Sequence, residues 1–314
     1  MALFNYYRKE KGLCGMKTKN KFSSMKRKEA MNFYIYIAPW LIGFLVLTLY
    51  PVIYSFYLMF TDMNIAGAGQ FVGLDNWRVA FTEDRLFFKA FFNTLRYVAM
   101  FVPSSIILAF AIAILLSKKI KGLGFFRTAF YIPYITAGVA VTILWGWIFS
   151  RDFGVINYVL SIFGIPGPNW LGDPNMAMIS IVILSLWTIG NNIIIMLAGI
   201  QDIPQSYYES AQIDGAGPIS QLANITIPLC TPTIYFNLIV TVIAAFQVFQ
   251  QPLILTQGGP LNSTYTAAIH LFNTGFLYGK MGYASMMAWS IFAVIMGITL
   301  IIVSTSKFWV FYDD

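Results

Sequence analysis

The sequence has few charged residues. Of its 314 residues, 11% are Asp, Glu, Lys or Arg, whereas 58% are hydrophobic. A soluble domain uses about 25% charged residues to cover its surface. The shortage of charge excludes an ordinary soluble protein and places the chain among membrane proteins.

Cysteine and histidine are also scarce. The cysteines are Cys14 and Cys230, and the single histidine is His270. The topology predicted below places both cysteines on the cytoplasmic side, where disulfides are rare, so we expect no disulfide. Their spacing does not suit a metal site, and a packed or solvated His270 is far more common than a ligand. We therefore predict neither a metal site nor catalytic residues.

The chain lacks an obvious energy source of its own. No Asp or Glu lies in its apolar segments, although ion-coupled transporters usually carry carboxylates there. Arg96 is embedded, and a snorkelling side chain explains it. A secondary transporter is disfavoured but stays open, because Na⁺ sites can be built from carbonyls. Gly279-Lys280 has no Gly-rich loop before it, so no phosphate-binding loop is present and we expect no cofactor on this chain.

Long apolar runs are abundant. A bilayer core of about 30 Å requires about 20 mainly apolar residues in a helix, and none of the runs alternates as a membrane barrel strand does. We predict an all-α membrane protein with a basic tail over 1–31 and a transmembrane domain over 32–314. Its six transmembrane helices are predicted at 33–60, 90–116, 126–149, 176–200, 233–256 and 284–306.

Basic residues are unevenly distributed along this topology. Nine of the twenty lysines and arginines lie in residues 1–31. Counted on alternating sides of the six spans, fourteen fall on the side of the termini and five on the other. Because positive residues accumulate on the cytoplasmic side, both termini are predicted to be cytoplasmic. The tail suits anionic membrane lipid rather than nucleic acid, and it is too long for a cleaved signal peptide.

Residues 201–232, the 201–232 loop, break this charge pattern. The loop lies on the predicted cytoplasmic side, yet it contains no Lys or Arg and three acids, Asp202, Glu209 and Asp214. A cytoplasmic loop without positive charge indicates a role other than topology.

The same loop carries the signals of a helix, a turn and a second helix. Pro204 suits a first helical turn, and Gly215 suits the left-handed position that ends a helix. Pro218 opens a second short helix, which Pro228 and Pro232 are expected to end. From the residues alone, an amphipathic elbow on the membrane and a docking loop for a partner are both open.

Several motifs then match a known family. In the loop they are Glu209-Ser210-Ala211, Asp214-Gly215-Ala216, Ile225, Ile227-Pro228 and Pro232. This spacing resembles the EAA loop of the permeases of bacterial ATP-binding-cassette (ABC) importers, with mild departures at Ser210, Leu222 and Ile227. Elsewhere, Phe71-Val72-Gly73-Leu74-Asp75-Asn76-Trp77, Gly258-Gly259-Pro260 and Gly282-Tyr283-Ala284-Ser285 resemble the sugar-permease branch.

The resemblance implies a fold, a function and partners. It implies a MetI-like permease subunit in the bacterial cell membrane that imports a sugar or oligosaccharide delivered by an extracytoplasmic solute-binding protein. A second homologous permease and two ATPase subunits, which hold ATP and Mg, are implied as well. The implied ATPase-coupling residues are Glu209, Ser210, Ala211, Asp214, Gly215, Ala216, Ile225 and Pro228.

Other classes remain as alternatives to this interpretation. The same machinery with a non-sugar cargo is open, although polyamines would call for embedded carboxylates. A membrane enzyme should show embedded catalytic groups, and a channel would have no use for a docking loop.

Substrate contacts are expected near the middle of the fourth and fifth spans. Trp187 and Asn191 are four residues apart and should share a helix face, as should Thr188 and Asn192. Sugars need amide and hydroxyl partners and a flat apolar surface. Hydrogen bonding between helices is the alternative role. The candidates for the substrate cavity are Trp187, Thr188, Asn191, Asn192, Thr241 and Gln247.

Overall fold

The computed structural model describes residues 27–67, 69–118, 122–136 and 138–311. The predicted basic tail and Cys14 therefore lie outside the described residues, except that 27–31 begin the first helix. The chain divides into two units between Tyr57 and Leu58. The long apolar helix α1, Arg27–Leu58, lies in the first unit except for its last residue, and it has a π-helical stretch at Phe44–Leu49.

The second unit is built from helices of very different lengths. In chain order they are α2 Asp75–Thr82, α3 Arg85–Ser117, α4 Leu123–Ile135, α5 Gly138–Ile148, α6 Val155–Ile162, α7 Ala177–Trp187, α8 Gly190–Gln201, α9 Gln205–Ile213, α10 Pro218–Gln221, α11 Ile227–Phe246, α12 Gln250–Thr256, α13 Ala267–Phe272 and α14 Met281–Ser306. π-Helical stretches at Leu222–Thr226 and Asn273–Leu277 follow α10 and α13.

The six predicted spans correspond to three continuous helices and three bent pairs. Helices α1, α3 and α14 are each long and apolar enough to cross a membrane. The pairs are α4 with α5, α7 with α8 at a bend of 51°, and the α10–α11 segment with a bend of 62°. The prediction of an all-α membrane protein is confirmed, but half of the spans are not the straight helices that we expected.

The predicted fourth span, 176–200, is broken at Thr188 and Ile189. The Thr188 N–H and its hydroxyl both donate to the Ser185 carbonyl, at 3.1 and 2.9 Å. These short-range bonds end α7 with a tight turn, after which α8 starts in a new direction. Because both helices are apolar on average, hydropathy over the whole span does not reveal the break.

The predicted fifth span, 233–256, ends ten residues early. Helix α11 stops at Phe246, and α12 is a separate helix that packs on α5. Phe249 leaves the helical region with φ −136°, and the Val248 carbonyl accepts from the Thr266 hydroxyl at 3.0 Å instead of from a helical N–H. A contact from a distant segment thus interrupts an apolar run.

The second short helix of the 201–232 loop does not end at Pro228 or Pro232. It continues through Leu222–Thr226 into α11, where the Ile227 N–H donates to the Leu222 carbonyl across a π turn. Pro228 lies where the π-helical stretch passes into α11, so its missing N–H removes one hydrogen bond from a helix that continues on both sides. Pro232 lies inside a bent helix, a common response to proline. The two prolines flank a 62° bend between Leu229 and Thr231, so they bend the helix where we expected them to end it.

Helix α3 lies at the centre of the packing in the second unit. One buried cluster joins it to α7 and α11 through residues such as Tyr97, Ile181 and Phe246. A second cluster joins it to α8 and α11 and includes Cys230. Cys230 is therefore buried in the helical bundle.

Candidate functional site

The turn of the 201–232 loop requires a glycine for its backbone conformation. Gly215 has φ +78° and ends α9. Its N–H donates to the Gln212 carbonyl at 3.1 Å, and the Ala216 N–H donates to the Ala211 carbonyl at 2.8 Å. These two bonds form a Schellman motif. Among the described residues beyond its chain neighbours, none has an atom within 4 Å of the position of a Cβ on Gly215, so conformation and not crowding explains the residue.

Side chains brace the two helices of this loop against each other. The Tyr208 hydroxyl of α9 and the Thr226 hydroxyl are 3.0 Å apart. The Gln221 side-chain amide donates to the Ala216 carbonyl at 2.8 Å. The loop is therefore a defined helical hairpin and not a flexible connection.

The predicted coupling residues divide by exposure. Glu209, Ser210, Asp214 and Gly215 are exposed, whereas Ala211, Ala216, Ile225 and Pro228 are partly buried.

Two isoleucines add an apolar surface that the predicted coupling set omits. Ile213 is 88% exposed and Ile219 is 83% exposed, on either side of the Gly215 turn. The sequence shows that both isoleucines stand in a polar segment. An apolar residue in a helix is normally predicted to pack against a neighbouring helix, so their exposure was not predicted.

The helices on either side of the loop are in direct contact along their length. Near the loop, a Cβ on Gly199 of α8 would lie 2.3 Å from the Thr233 hydroxyl of α11, so only glycine permits this approach. Farther along, the Asn192 side-chain amide donates to the Thr241 hydroxyl at 2.9 Å. The two helices are thus joined near both of their ends.

A cavity of about 320 Å³ lies where two of the predicted spans are broken. The breaks after Trp187 and after Phe246 both reach it. The Tyr97 hydroxyl donates to the Ser185 hydroxyl at 2.8 Å beside the cavity. The polar and aromatic side chains among its described lining residues are uncharged: Tyr97, Phe101, Ser185, Thr188, Gln247, Phe249, Gln250 and Gln251.

The structure separates the six cavity candidates. Thr188 and Gln247 line the cavity. Asn192 and Thr241 bond to each other, which matches the alternative role of joining helices. Trp187 is 54% exposed and packs edge-on against Trp145, with ring centroids 5.9 Å apart.

Asn191 is partly buried at the start of α8. The helix is interrupted at Thr188 and Ile189, between the members of both predicted pairs, so the four-residue spacing does not establish a shared face.

Sequence reasoning missed the contribution of α3 to the cavity. Tyr97 and Phe101 lie one turn apart on α3, and their rings stack with centroids 5.3 Å apart. Four-residue spacing of aromatic residues was the available signal, but the same spacing is common in helix packing.

Over the residues that the structure describes, an all-helical fold with apolar spans, a braced hairpin and an uncharged cavity fits a subunit of a membrane transport system. Residues 79–310 match the family described as binding-protein-dependent transport system inner membrane component. The chain belongs to this family, and the predicted permease family is confirmed.

Individual relatives match over most of the chain. A probable ABC transporter permease protein, YesP, of Bacillus subtilis is 40% identical over 292 residues, which cover 92% of this chain and 94% of YesP. The trehalose/maltose transport system permease protein MalF of Thermococcus litoralis is 32% identical over 291 residues, covering 92% and 98% of the two chains.

A solved structure shows the same fold. The chain resembles one chain of a bacterial alginate ABC transporter in complex with a periplasmic protein that binds an alginate pentasaccharide. The TM-score is 0.79 at 23% identity, covering 89% of this chain and 95% of the other. This similarity confirms the predicted ABC importer permease fold.

Proposed function

We propose that this chain is the transmembrane permease subunit of an ATP-driven importer of a sugar or oligosaccharide. In this proposal the 201–232 loop couples ATP hydrolysis on separate subunits to the cavity. One observation carries it: both helices that flank the loop lead to the cavity. Helix α8 begins next to Thr188, and α11 ends next to Gln247, and both of these residues line the cavity.

The hairpin and its two helices form a stiff connection. Beyond the 62° bend, the straight part of α11 runs from Thr231 to Phe246, and its 16 residues at about 1.5 Å each make it about 24 Å long. Its contacts with α8 at Gly199 and Asn192 hold the pair together. A displacement of the braced hairpin therefore moves both helix ends at the cavity.

The exposed surface of the hairpin suits a protein partner. Ile213 and Ile219 offer apolar anchors, and the carboxylates of Glu209 and Asp214 flank them. We assign this surface to a groove of an ATPase subunit with a basic rim, since apolar contacts give affinity and charges give orientation. The eight predicted coupling residues build either this surface or the hairpin beneath it.

The remaining partners follow from the proposed importer. They are a second homologous permease, two ATPase subunits that bind ATP and Mg, and an extracytoplasmic solute-binding protein. The family description and the periplasmic protein in the alginate transporter complex support the last of these. Both termini and the hairpin face the cytoplasm in this arrangement, as the distribution of basic residues supports.

The cargo is proposed from the relatives and the cavity together. The MalF relative is named for trehalose and maltose, and the related structure is an alginate transporter. Hydroxyls, amides and aromatic rings, which line the cavity, are the groups that bind sugars.

The coupling role is tested by reversing the charge of Glu209. Glu209→Lys should abolish substrate-stimulated ATP hydrolysis and uptake in the reconstituted importer, because a lysine would face the basic rim. The matched control is Asp202→Lys, the same charge change on an exposed residue outside α9. It should retain most of the stimulation. Wild-type stimulation in Glu209→Lys would refute the coupling role.

The cargo is tested separately by competition for uptake. A panel of mono- and oligosaccharides, amino acids and polyamines is offered to vesicles that contain the complete importer. We expect a sugar to be taken up, and Gln247→Leu to raise its apparent KM about tenfold, as expected for loss of one well-placed hydrogen bond. Uptake of an amino acid or polyamine instead would keep the machinery and overturn the cargo.

A further inference from the structure

Helix α6, between the third and fourth predicted spans, exposes its apolar face. Val155, Tyr158, Val159 and Ile162 recur at the three- and four-residue spacing of one helix face, and all are exposed. Phe163 continues this face just after the helix and is 73% exposed. A helix on a water-facing surface turns its polar side outward. Helix α6 turns its apolar side outward instead.

Hydrogen bonds on the other side of α6 hold this orientation. The Asn157 side-chain amide donates to the carbonyls of Arg151 and Pro168, at 3.1 and 3.2 Å. The Asn157 side-chain oxygen accepts from the Trp170 indole N–H at 2.7 Å, and Trp170 packs on the buried Phe149 ring. The bonds of Asn157 therefore hold this side of α6 against the protein, and they keep the apolar side directed outward.

The apolar face continues into the surface of a membrane-spanning segment. An almost wholly apolar groove of about 450 Å³ runs from α5 to α6, and its lining residues are Leu144, Trp147, Ile148, Phe153 and Val155. Helix α5 belongs to a bent pair that is long and apolar enough to cross a membrane. The groove thus joins α6 to the surface of this span at its end.

The chemistry of this continuous surface favours lipid over a protein partner. Over 153–165 the chain contains no charged residue, and the nearest charges in the sequence, Arg151 and Asp152, lie immediately before it and border the same face. An apolar helix face edged by charge is the arrangement of an amphipathic segment that lies in the membrane interface. Aromatic residues such as Trp147, Phe153 and Tyr158 are enriched at the boundary between acyl chains and headgroups. The groove has the apolar lining that an acyl chain requires.

We propose that residues 153–165 lie in the membrane interface, with the apolar face of α6 among the acyl chains and a lipid tail in the groove beside Trp147. This surface would make the connection between the third and fourth spans a lipid-anchored element on the side of the membrane opposite the 201–232 loop.

Spin labels on two faces of α6 test the proposal. In the complete importer, with Cys14 and Cys230 replaced by alanine, Val159→Cys and Ser161→Cys are labelled one at a time. The importer is reconstituted into liposomes of phosphatidylethanolamine and phosphatidylglycerol. Collisions with oxygen, which partitions into lipid, are compared with collisions with a water-soluble nickel chelate. Ser161 is exposed on the polar side and is the matched control.

The label at Val159 should collide several times more with oxygen than with nickel, and the label at Ser161 should show the reverse preference. A Val159 label that nickel reaches freely would place α6 in water and overturn the proposal. A Val159 label shielded from both reagents would show that another protein subunit covers the face, and this outcome overturns it as well.

Discussion

Asp84 shows how one residue joins separate elements of this protein. Its carboxylate accepts the Leu86 N–H at 2.9 Å and so caps the start of α3. The same carboxylate accepts the Tyr283 hydroxyl of α14 at 2.6 Å and lies 2.7 Å from the His270 imidazole of α13. His270 is buried in this network, so of the two expectations, packed or solvated, the structure shows the packed histidine.

The surroundings of Asp84 predict a pH-dependent contribution to stability. Burial raises the pKa of the Asp84 carboxyl, but its hydrogen bonds and the nearby imidazole lower it by more, so the pKa lies below its usual 3.8. A carboxyl whose folded pKa is depressed stabilises the fold above its unfolded pKa. That stabilisation is lost as the pH falls through the folded pKa.

Replacing Asp84 by Asn should therefore destabilise the protein most near neutral pH. Loss of charge-assisted hydrogen bonds costs about 1–3 kcal/mol, and the melting temperature should fall accordingly. The difference from the wild type should shrink as the pH is lowered below 3.8. Melting temperatures of the purified complex at several pH values measure both effects.

Asp75 provides the control for this measurement. It pairs with Arg78 at 2.7 Å, but both side chains are exposed. Exposed pairs contribute about 0–1 kcal/mol, so Asp75→Asn should change the melting temperature little. An Asp84→Asn effect no larger than that of Asp75→Asn would contradict the proposed stabilising network.

At the scale of elements, α8 and α11 are expected to move as one body. Their contacts at Asn192–Thr241 and Gly199–Thr233 leave little room for sliding. With Cys14 and Cys230 replaced by alanine, the pair Asn192→Cys and Thr241→Cys is crosslinked with a short bifunctional thiosulfonate reagent. The crosslinked importer should keep at least half of its uptake and substrate-stimulated ATP hydrolysis.

Each single-cysteine variant, treated with the same reagent, controls for modification without a crosslink. Loss of transport that appears only in the crosslinked double variant, and that a reducing agent reverses, would show that α8 and α11 separate or slide during transport. The stiff connection between hairpin and cavity would then be wrong.

The broken helices show which elements were predictable. The long apolar helices α3 and α14 were predicted to within about five residues. A helix that crosses lipid must be long and hydrophobic, and both properties can be read directly from the sequence. The ends of α7 and α11 were not predicted. The end of α7 is set by the short-range bonds of Thr188 to Ser185, which hydropathy does not reveal. The end of α11 depends on the bond of Thr266 to Val248, which joins residues 18 apart in the sequence.

At the scale of the whole molecule, the topology remains a prediction from charge. The segment around Gly167 precedes α7, and Gly217 follows α9, so one bent span separates them. Reporter fusions should therefore report opposite sides of the membrane, outside for Gly167 and inside for Gly217. A fusion at Gly122, on the same predicted side as Gly217, should also report inside. Fusions at Gly167 and Gly217 that report the same side would contradict the six-span topology.

The sequence by itself determined the class of this protein. Its apolar runs and scarce charge are what a chain surrounded by lipid requires. The spacing from Glu209 to Pro228 identified the importer permease family. Gly215 was also predictable, because a left-handed turn is a local requirement that glycine meets.

Only the tertiary structure decided which polar residues meet. Asn192 and Thr241 both satisfied the sequence criteria for a cavity, yet they bond to each other. Tyr97, which no sequence criterion selected, lines the cavity beside Thr188. Which face of a membrane helix turns inward depends on its breaks and its neighbours, and these arise from contacts between distant residues that no local pattern encodes.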